Sequence, residues 1–201
     1  MGQVIASATM SLDGFIAHHD HGIDPLFDWY ETGDEAVTTA SPDVSFSLTA
    51  TSAAYWRSWV GRLGALVVGR ELFDLVDGWG GTHPIGTPVV VLTHQAPTDW
   101  SYPGSEDFHF VTDGVEAAVT LARSLAGERD VAVAAGTVAR QCLEAGLLDA
   151  VAIDLAPVVL GEGRPFFGAL AGGAPVRLGD PTTVIEADRV LHLVYPVLRE
   201  P

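Results

Sequence analysis

Val133-Ala134-Ala135-Gly136-Thr137 marks a point where one periodicity gives way to another. Before it, Asp130–Ala135 reads as a short buried strand. After it, Thr137–Ala145 has helical spacing, and Gly146 stands where a left-handed C-cap glycine belongs. A strand that ends on small residues and opens into a helix leaves free amides at the helix N-terminus. Those amides and the helix dipole attract phosphate, and small side chains let a pyrophosphate come close. The same five residues also suit plain strand-on-helix packing.

A second corner of this kind lies upstream. Ala65–Val68 reads as a short buried strand ended by Gly69. Arg70 opens a short helix to Val76, with Leu72, Phe73 and Val76 on one side. Amides and guanidinium together would hold a phosphate monoester. A turn glycine beside a solvated arginine is the alternative.

Working outward, further strands are expected at Gln3–Thr9, Pro88–Thr93, Phe108–Val111 and Ala150–Leu160, the last kinked or at an edge near Pro157. Helices are expected over Thr51–Leu63, with Ala54, Trp59 and Leu63 at helical spacing, and from Asp113 to Ala126. In the second, Asp113 is the N-cap, Glu116 completes an approximate capping box, and Val115, Val119 and Ala122 are buried. Ser11–Ile23, Gly33–Ser47 and Gly78–Gly86 read as loops. The tail, Val176–Leu198, alternates like two antiparallel strands that turn near Asp188. Alternating strands and helices followed by such a tail argue for an α/β sandwich with a mostly parallel sheet. Its ligands should sit at the carboxyl ends of the strands.

Composition narrows the functions. A chain of 201 residues with 48% hydrophobic content suits one domain, 1–201. Ten basic residues against 26 acidic ones give a formal charge of −16. That field repels nucleic acid, but arginines in a local pocket still accommodate a phosphorylated cofactor. The longest apolar runs, such as Pro88–Leu92, fall far short of the roughly 18 residues of a membrane span. A single cysteine and an N-terminus without a basic-then-apolar leader fit a cytoplasmic protein. Gly161-Glu162-Gly163-Arg164 is the nearest approach to GxGxxG but lacks the strand–helix context. GxxxxGK[ST] and GxSxG are absent. His18-His19-Asp20-His21 with Asp24 reads as a solvated loop rather than a metal site, and Cys142 as a core residue rather than a nucleophile.

Four segments together resemble the dihydrofolate-reductase-like family that includes the reductase domain of bifunctional riboflavin-biosynthesis deaminase-reductases. They are Ser11–Ala17, Val67–Arg70, Gly136–Asp149 and Ala156–Phe167, in the family's order. The resemblance implies a dihydrofolate-reductase-like three-layer sandwich and an NADPH-dependent reductase. It places Thr9 and Ile16 beside the nicotinamide. Gly69, Arg70, Thr93 and His94 fall at the adenosine 2′-phosphate, and Ala135, Gly136, Thr137 and Val138 at the pyrophosphate. Asp13 and the loop of Gly161, Glu162 and Gly163 would face the substrate. No HxE…PCxxC zinc pattern occurs, so a stand-alone reductase-like domain is expected. The family also suggests a homodimer, with Val190–Leu198 shared between protomers.

Two positions depart from the family pattern. Ala134-Ala135 replaces a Gly-Gly pair usually joined by a cis peptide, which between non-proline residues costs about 2.5–4 kcal/mol. Either the bond is trans here or packing holds a strained cis pair, and added methyls would crowd a pyrophosphate. Leu72 stands where dihydrofolate reductases commonly place a phosphate-binding threonine. The expected reaction is hydride transfer to a C=N or C=O group of a flat pteridine- or pyrimidine-like heterocycle. Asp13 is the leading acid, ahead of Glu162 and Asp24. Trp29, Tyr30, Trp79 and Phe167 offer stacking faces. No acid between Asp24 and Glu35 matches the substrate-gripping carboxylate of true dihydrofolate reductases. The alternatives are a deazaflavin-dependent reductase and a non-catalytic nucleotide-binding dimer module.

Overall fold

The computed structural model describes residues 2–168 and 175–198. In chain order the elements are β1 (Val4–Met10), β2 (Phe15–Ala17), β3 (Glu35–Thr38), β4 (Ser45–Leu48), α1 (Ala50–Arg62), β5 (Leu63–Gly69), α2 (Arg70–Leu75), β6 (Val89–Leu92), β7 (Phe108–Val111), α3 (Val115–Ala126), β8 (Asp130–Ala134), α4 (Thr137–Glu144), β9 (Ala150–Leu155), β10 (Arg164–Pro165), β11 (Thr183–Ala187) and β12 (Val190–Pro196).

Eight strands form one sheet in the order β11-β12-β9-β1-β8-β5-β6-β7. The six from β9 to β7 are parallel, and β12 and β11 add antiparallel at one edge. Covered parallel strands need apolar side chains on both faces, and β5 is buried along all but its last residue. The two-residue period sorts these side chains. Val4, Ala6, Val67, Val90 and Val133 face α3 and α4. Ile5, Leu66, Val68, Val91 and Ala132 face Trp59 of α1 and Phe73 of α2. The result is a three-layer α/β sandwich. Among the described residues no helix is long and apolar enough to cross a membrane.

Several local expectations change. Residues 33–47 are not simply a surface loop, because β3 and β4 pair as a hairpin that buries Val37 and Leu48 under Trp29. The other face of the hairpin is Ser- and Thr-rich, which hid the alternation. The Ser11–Ile23 loop contains β2, paired with β10. Gly114, not Asp113, is the N-cap of α3, at φ 94°, and no side chain caps that helix. On α1, Ala54 is exposed and the buried residues are Ser52, Ala53 and Trp59. β9 stops at Leu155, so Pro157 lies beyond the strand. Gly146 does end α4 at φ 66°. Its amide bonds Leu143 O and that of Leu147 bonds Cys142 O, the paired closure of a Schellman turn.

Candidate active site

The carboxyl ends of the central strands open into a cleft of about 1390 Å³. One half is built from the two corners. β5 and β8 are sheet neighbours, so the turns into α2 and α4 lie side by side. A Cβ placed on Gly69 would come 3.1 Å from Val138 Cγ2. Neither helix has a side-chain N-cap, which leaves the first amides of both open to an anion. Gly136 has φ 97°, a conformation that disfavours any other residue, and its amide donates to Phe166 O at 2.6 Å. Arg70 is held across this end by Asp74 Oδ1 at 2.7 Å and Gln95 O at 2.6 Å. Thr93 Oγ1 donates to the same carbonyl. Arg164 reaches from β10 to Glu71 at 2.8 Å, and its buried Nε has no partner among the described residues.

Thr9, Ile16, Gly69, Arg70, Thr93, His94, Ala135, Gly136, Thr137 and Val138 all line this cleft, as does Gly163. Ala134 and Ala135 line it too, joined by a trans bond, and Leu72 presents a methyl surface where a hydroxyl was in question. Asp13 does not line it. Its carboxylate accepts from Ser11 Oγ at 2.6 Å and from the amides of Leu160 (3.1 Å) and Gly161 (2.7 Å). The Ser11 hydroxyl and these amides hold its carboxyl below the usual carboxylate range, so it is an ionised loop clamp and a poor acid. Gly161 and Glu162 also lie off the cleft lining. Gly163 is forced by proximity, since a Cβ there would sit 2.3 Å from Ala17 O. Of the aromatic candidates, Tyr30 and Trp79 line the cleft. Trp29 is buried in the hairpin core, and Phe167 packs against Phe166. Burial and the charge of Glu116 push the Cys142 thiol up to about 12, as suits a core residue. Among the described residues no three His, Cys, Asp or Glu side chains are grouped to hold a metal.

The other half of the cleft carries residues that the sequence reading missed. Sheet register puts Thr9, Asp154 and His192 in one row across β1, β9 and β12. His192 is fully buried, its Nδ1 2.6 Å from Asp154 Oδ1 and its Nε2 3.0 Å from Ser52 Oγ. The carboxylate can only accept, so Nδ1 carries a proton; in the neutral ring, Nε2 then accepts from Ser52. Tyr55, one turn along α1, stacks on the imidazole at 4.1 Å. Tyr30, Phe46 and Trp56 close the end with their rings. Burial and then the Asp154 charge raise the phenol pKa of both Tyr30 and Tyr55, so both remain neutral hydroxyls. The available signal was charge out of place: Asp154 and His192 interrupt otherwise apolar strands.

A model of the RibD C-terminal domain matches residues 3–181. The chain belongs to the RibD C-terminal domain family. Its fold is shared with several solved structures. A putative riboflavin biosynthesis protein from Shewanella sp. PV-4 is 21% identical, with a TM-score of 0.73 and 98% and 99% of the two chains covered. The Thermotoga maritima diaminohydroxyphosphoribosylaminopyrimidine deaminase/5-amino-6-(5-phosphoribosylamino)uracil reductase is 15% identical, with a TM-score of 0.64. There the alignment covers 98% of this chain and 57% of the bifunctional one. A pyrimidine reductase-like protein from Corynebacterium diphtheriae is 15% identical, with a TM-score of 0.63 over 99% and 93% of the chains. No curated protein matches by sequence.

Proposed function

We propose that this RibD C-terminal domain protein is an NADPH-dependent reductase acting on a C=N or C=O group of a pteridine- or pyrimidine-like small molecule. One observation carries the reading: two uncapped helix starts, Gly69–Arg70 and Gly136–Thr137, sit side by side on a cleft whose far end holds a carboxylate. The donor set fits a phosphorylated dinucleotide. Arg70, Thr93 and His94 would hold the 2′-phosphate, and the α4 amides with the unpartnered Arg164 Nε the pyrophosphate. Bound there, NADPH would supply the hydride. Thr9 and Ile16 orient the reacting face and keep water from it. Asp154, fixed by His192, replaces Asp13 as the ionisable group facing substrate. The family's metabolic chemistry agrees with a cytoplasmic setting.

The Ala134 and Ala135 methyls on the groove favour a second reading, in which a deazaflavin replaces NADPH or the site binds a nucleotide without catalysis. Fluorescence titration with each cofactor separates the two. Saturable NADPH binding with substrate-dependent loss of its absorbance supports the first; no binding at millimolar NADPH defeats it. We also propose a homodimer through the tail, where Val184 and Leu191 expose apolar surface on β11 and β12. Sedimentation at dilute concentration tests this, and a monomer would refute it.

A further inference from the structure

The turn after α2 runs through backbone that L-residues rarely adopt. Asp77, Gly78, Trp79, Gly80 and Gly81 all have positive φ, at 46°, 57°, 52°, 60° and 90°. Left-handed backbone is disfavoured for tryptophan, because Cβ crowds the following carbonyl. The surroundings impose it. Tyr102 Oη donates to Asp77 Oδ2, and Trp100 Nε1 donates to Asp77 O at 3.3 Å. A Cβ on Gly78 would lie 2.5 Å from the Trp100 ring, and one on Gly81 2.5 Å from Pro103 O. The turn is therefore clamped from behind, and Trp79 lines the cleft. A glycine at 79 would relieve the strain, so what the strain keeps in place is the indole.

The same turn brings His83 to the cleft, with its ring and that of Trp79 edge to face at 4.3 Å. The Ile85 amide donates to His83 Nδ1 at 3.1 Å. An amide cannot accept in return, so Nδ1 bears no proton and the neutral ring carries its proton on Nε2. Burial agrees, lowering the His83 pKa to about 3. Nε2 has no partner among the described residues and is not sealed from solvent. This wall belongs to the substrate end. The Ala40 amide donates to Pro84 O at 2.9 Å, which ties the turn to the β3–β4 hairpin, and Phe46 of that hairpin closes the Asp154 end.

A donor held neutral beside a fixed ring face selects a particular chemistry. A neutral N–H suits an uncharged acceptor such as an amide carbonyl, and an indole face takes a planar ring. We infer that Trp79 and His83 together determine substrate specificity: the indole stacks on a planar ring, and the Nε2 proton is donated to a lactam carbonyl on that ring's edge. In assigning this wall to the substrate, the inference rests on the reductase reading. The pair orients the ring and moves no proton. A neutral imidazole is a poor acid, and the carbonyl it engages is a handle rather than the bond that is reduced.

The test uses the whole chain without cofactor, so it stands apart from hydride transfer. Ligand-observed NMR gives dissociation constants for isoquinolin-1-one, a planar lactam, and for naphthalene, its counterpart without the carbonyl. The parent should bind the lactam about fivefold more tightly, the contribution of one hydrogen bond. His83→Leu should erase that preference, and His83→Gln, which restores a donor, should recover most of it. Trp79→Leu keeps apolar bulk without the ring face. It should weaken both probes several-fold and leave their ratio unchanged. A merely structural role would not divide the two probes in this way. No binding of the lactam, equal binding of both probes by the parent, or a preference that survives His83→Leu overturns the inference. Should His83→Leu fold poorly, unchanged affinities in Trp79→Leu overturn it instead. The expected pattern in a chain that never oxidises NADPH would support this inference and sink the reductase reading.

Discussion

The Gly136 corner and the Asp154 corner lie in one cleft but are assembled by different means. At Gly136 the chain offers its own backbone: amides freed by a helix start, a glycine at positive φ, and small neighbours that keep the approach open. At Asp154 it offers side chains from three separate elements, Ser52 on α1, Asp154 on β9 and His192 on β12. A backbone site is written in consecutive residues. A side-chain site is written in strand register, which joins positions 38 and 140 residues apart.

The sharpest way to break this comparison is at the backbone corner. Gly136→Val forces a β-branched residue to φ near 97° and sets methyls over the α4 amides. NADPH affinity should fall on the order of 100-fold, roughly 2.7 kcal/mol, in a fluorescence titration. Retained affinity would show that the amides do not hold the cofactor. At the other corner, Ser52→Ala leaves His192 Nε2 buried without its donor. Thermal or urea unfolding should show a loss of about 1–3 kcal/mol, while NADPH affinity stays unchanged. A variant as stable as the parent would mean the buried row is not a coupled network.

These outcomes bear on what the chain discloses before it folds. The parallel sheet, the helix turns at Gly69 and Gly136 and the Gly146 cap follow from local apolar runs punctuated by glycine, so they could be read directly. The β3–β4 hairpin could not, because Ser and Thr on its solvent face conceal the alternation that buries Val37 and Leu48. Asp13 drew attention as an acid because it follows the first strand, yet its partners, Leu160 and Gly161, lie 147 and 148 residues away and turn it into a clamp. Asp154 went unremarked for the converse reason. Nothing near it in sequence announces that His192 and Thr9 will flank it.

Smaller effects sharpen the contrast. Arg70→Ala removes the guanidinium at the adenosine end and should raise the NADPH dissociation constant about tenfold with little change for NADH. Because Asp74 already shares Arg70, the loss should be smaller than at Gly136. Asp13→Asn should have the slightest effect and a defined pH dependence. The folded pKa of Asp13 is lowered, so its contribution to stability is present above the usual 3.8 and disappears as pH falls through the folded value. Parent and variant should therefore differ in melting temperature at neutral pH and converge in strong acid. NADPH oxidation should survive, since the residue lies outside the cleft lining.

The central claim is that the Gly69–Arg70 and Gly136–Thr137 corners act together on a phosphorylated dinucleotide, and calorimetric titration of the parent protein with NADPH and NADH addresses it most directly. The account predicts saturable binding of one NADPH per chain, tighter than NADH by about tenfold, the contribution of one charge-assisted phosphate contact. Equal affinities, or no heat from NADPH at millimolar concentration, would contradict it.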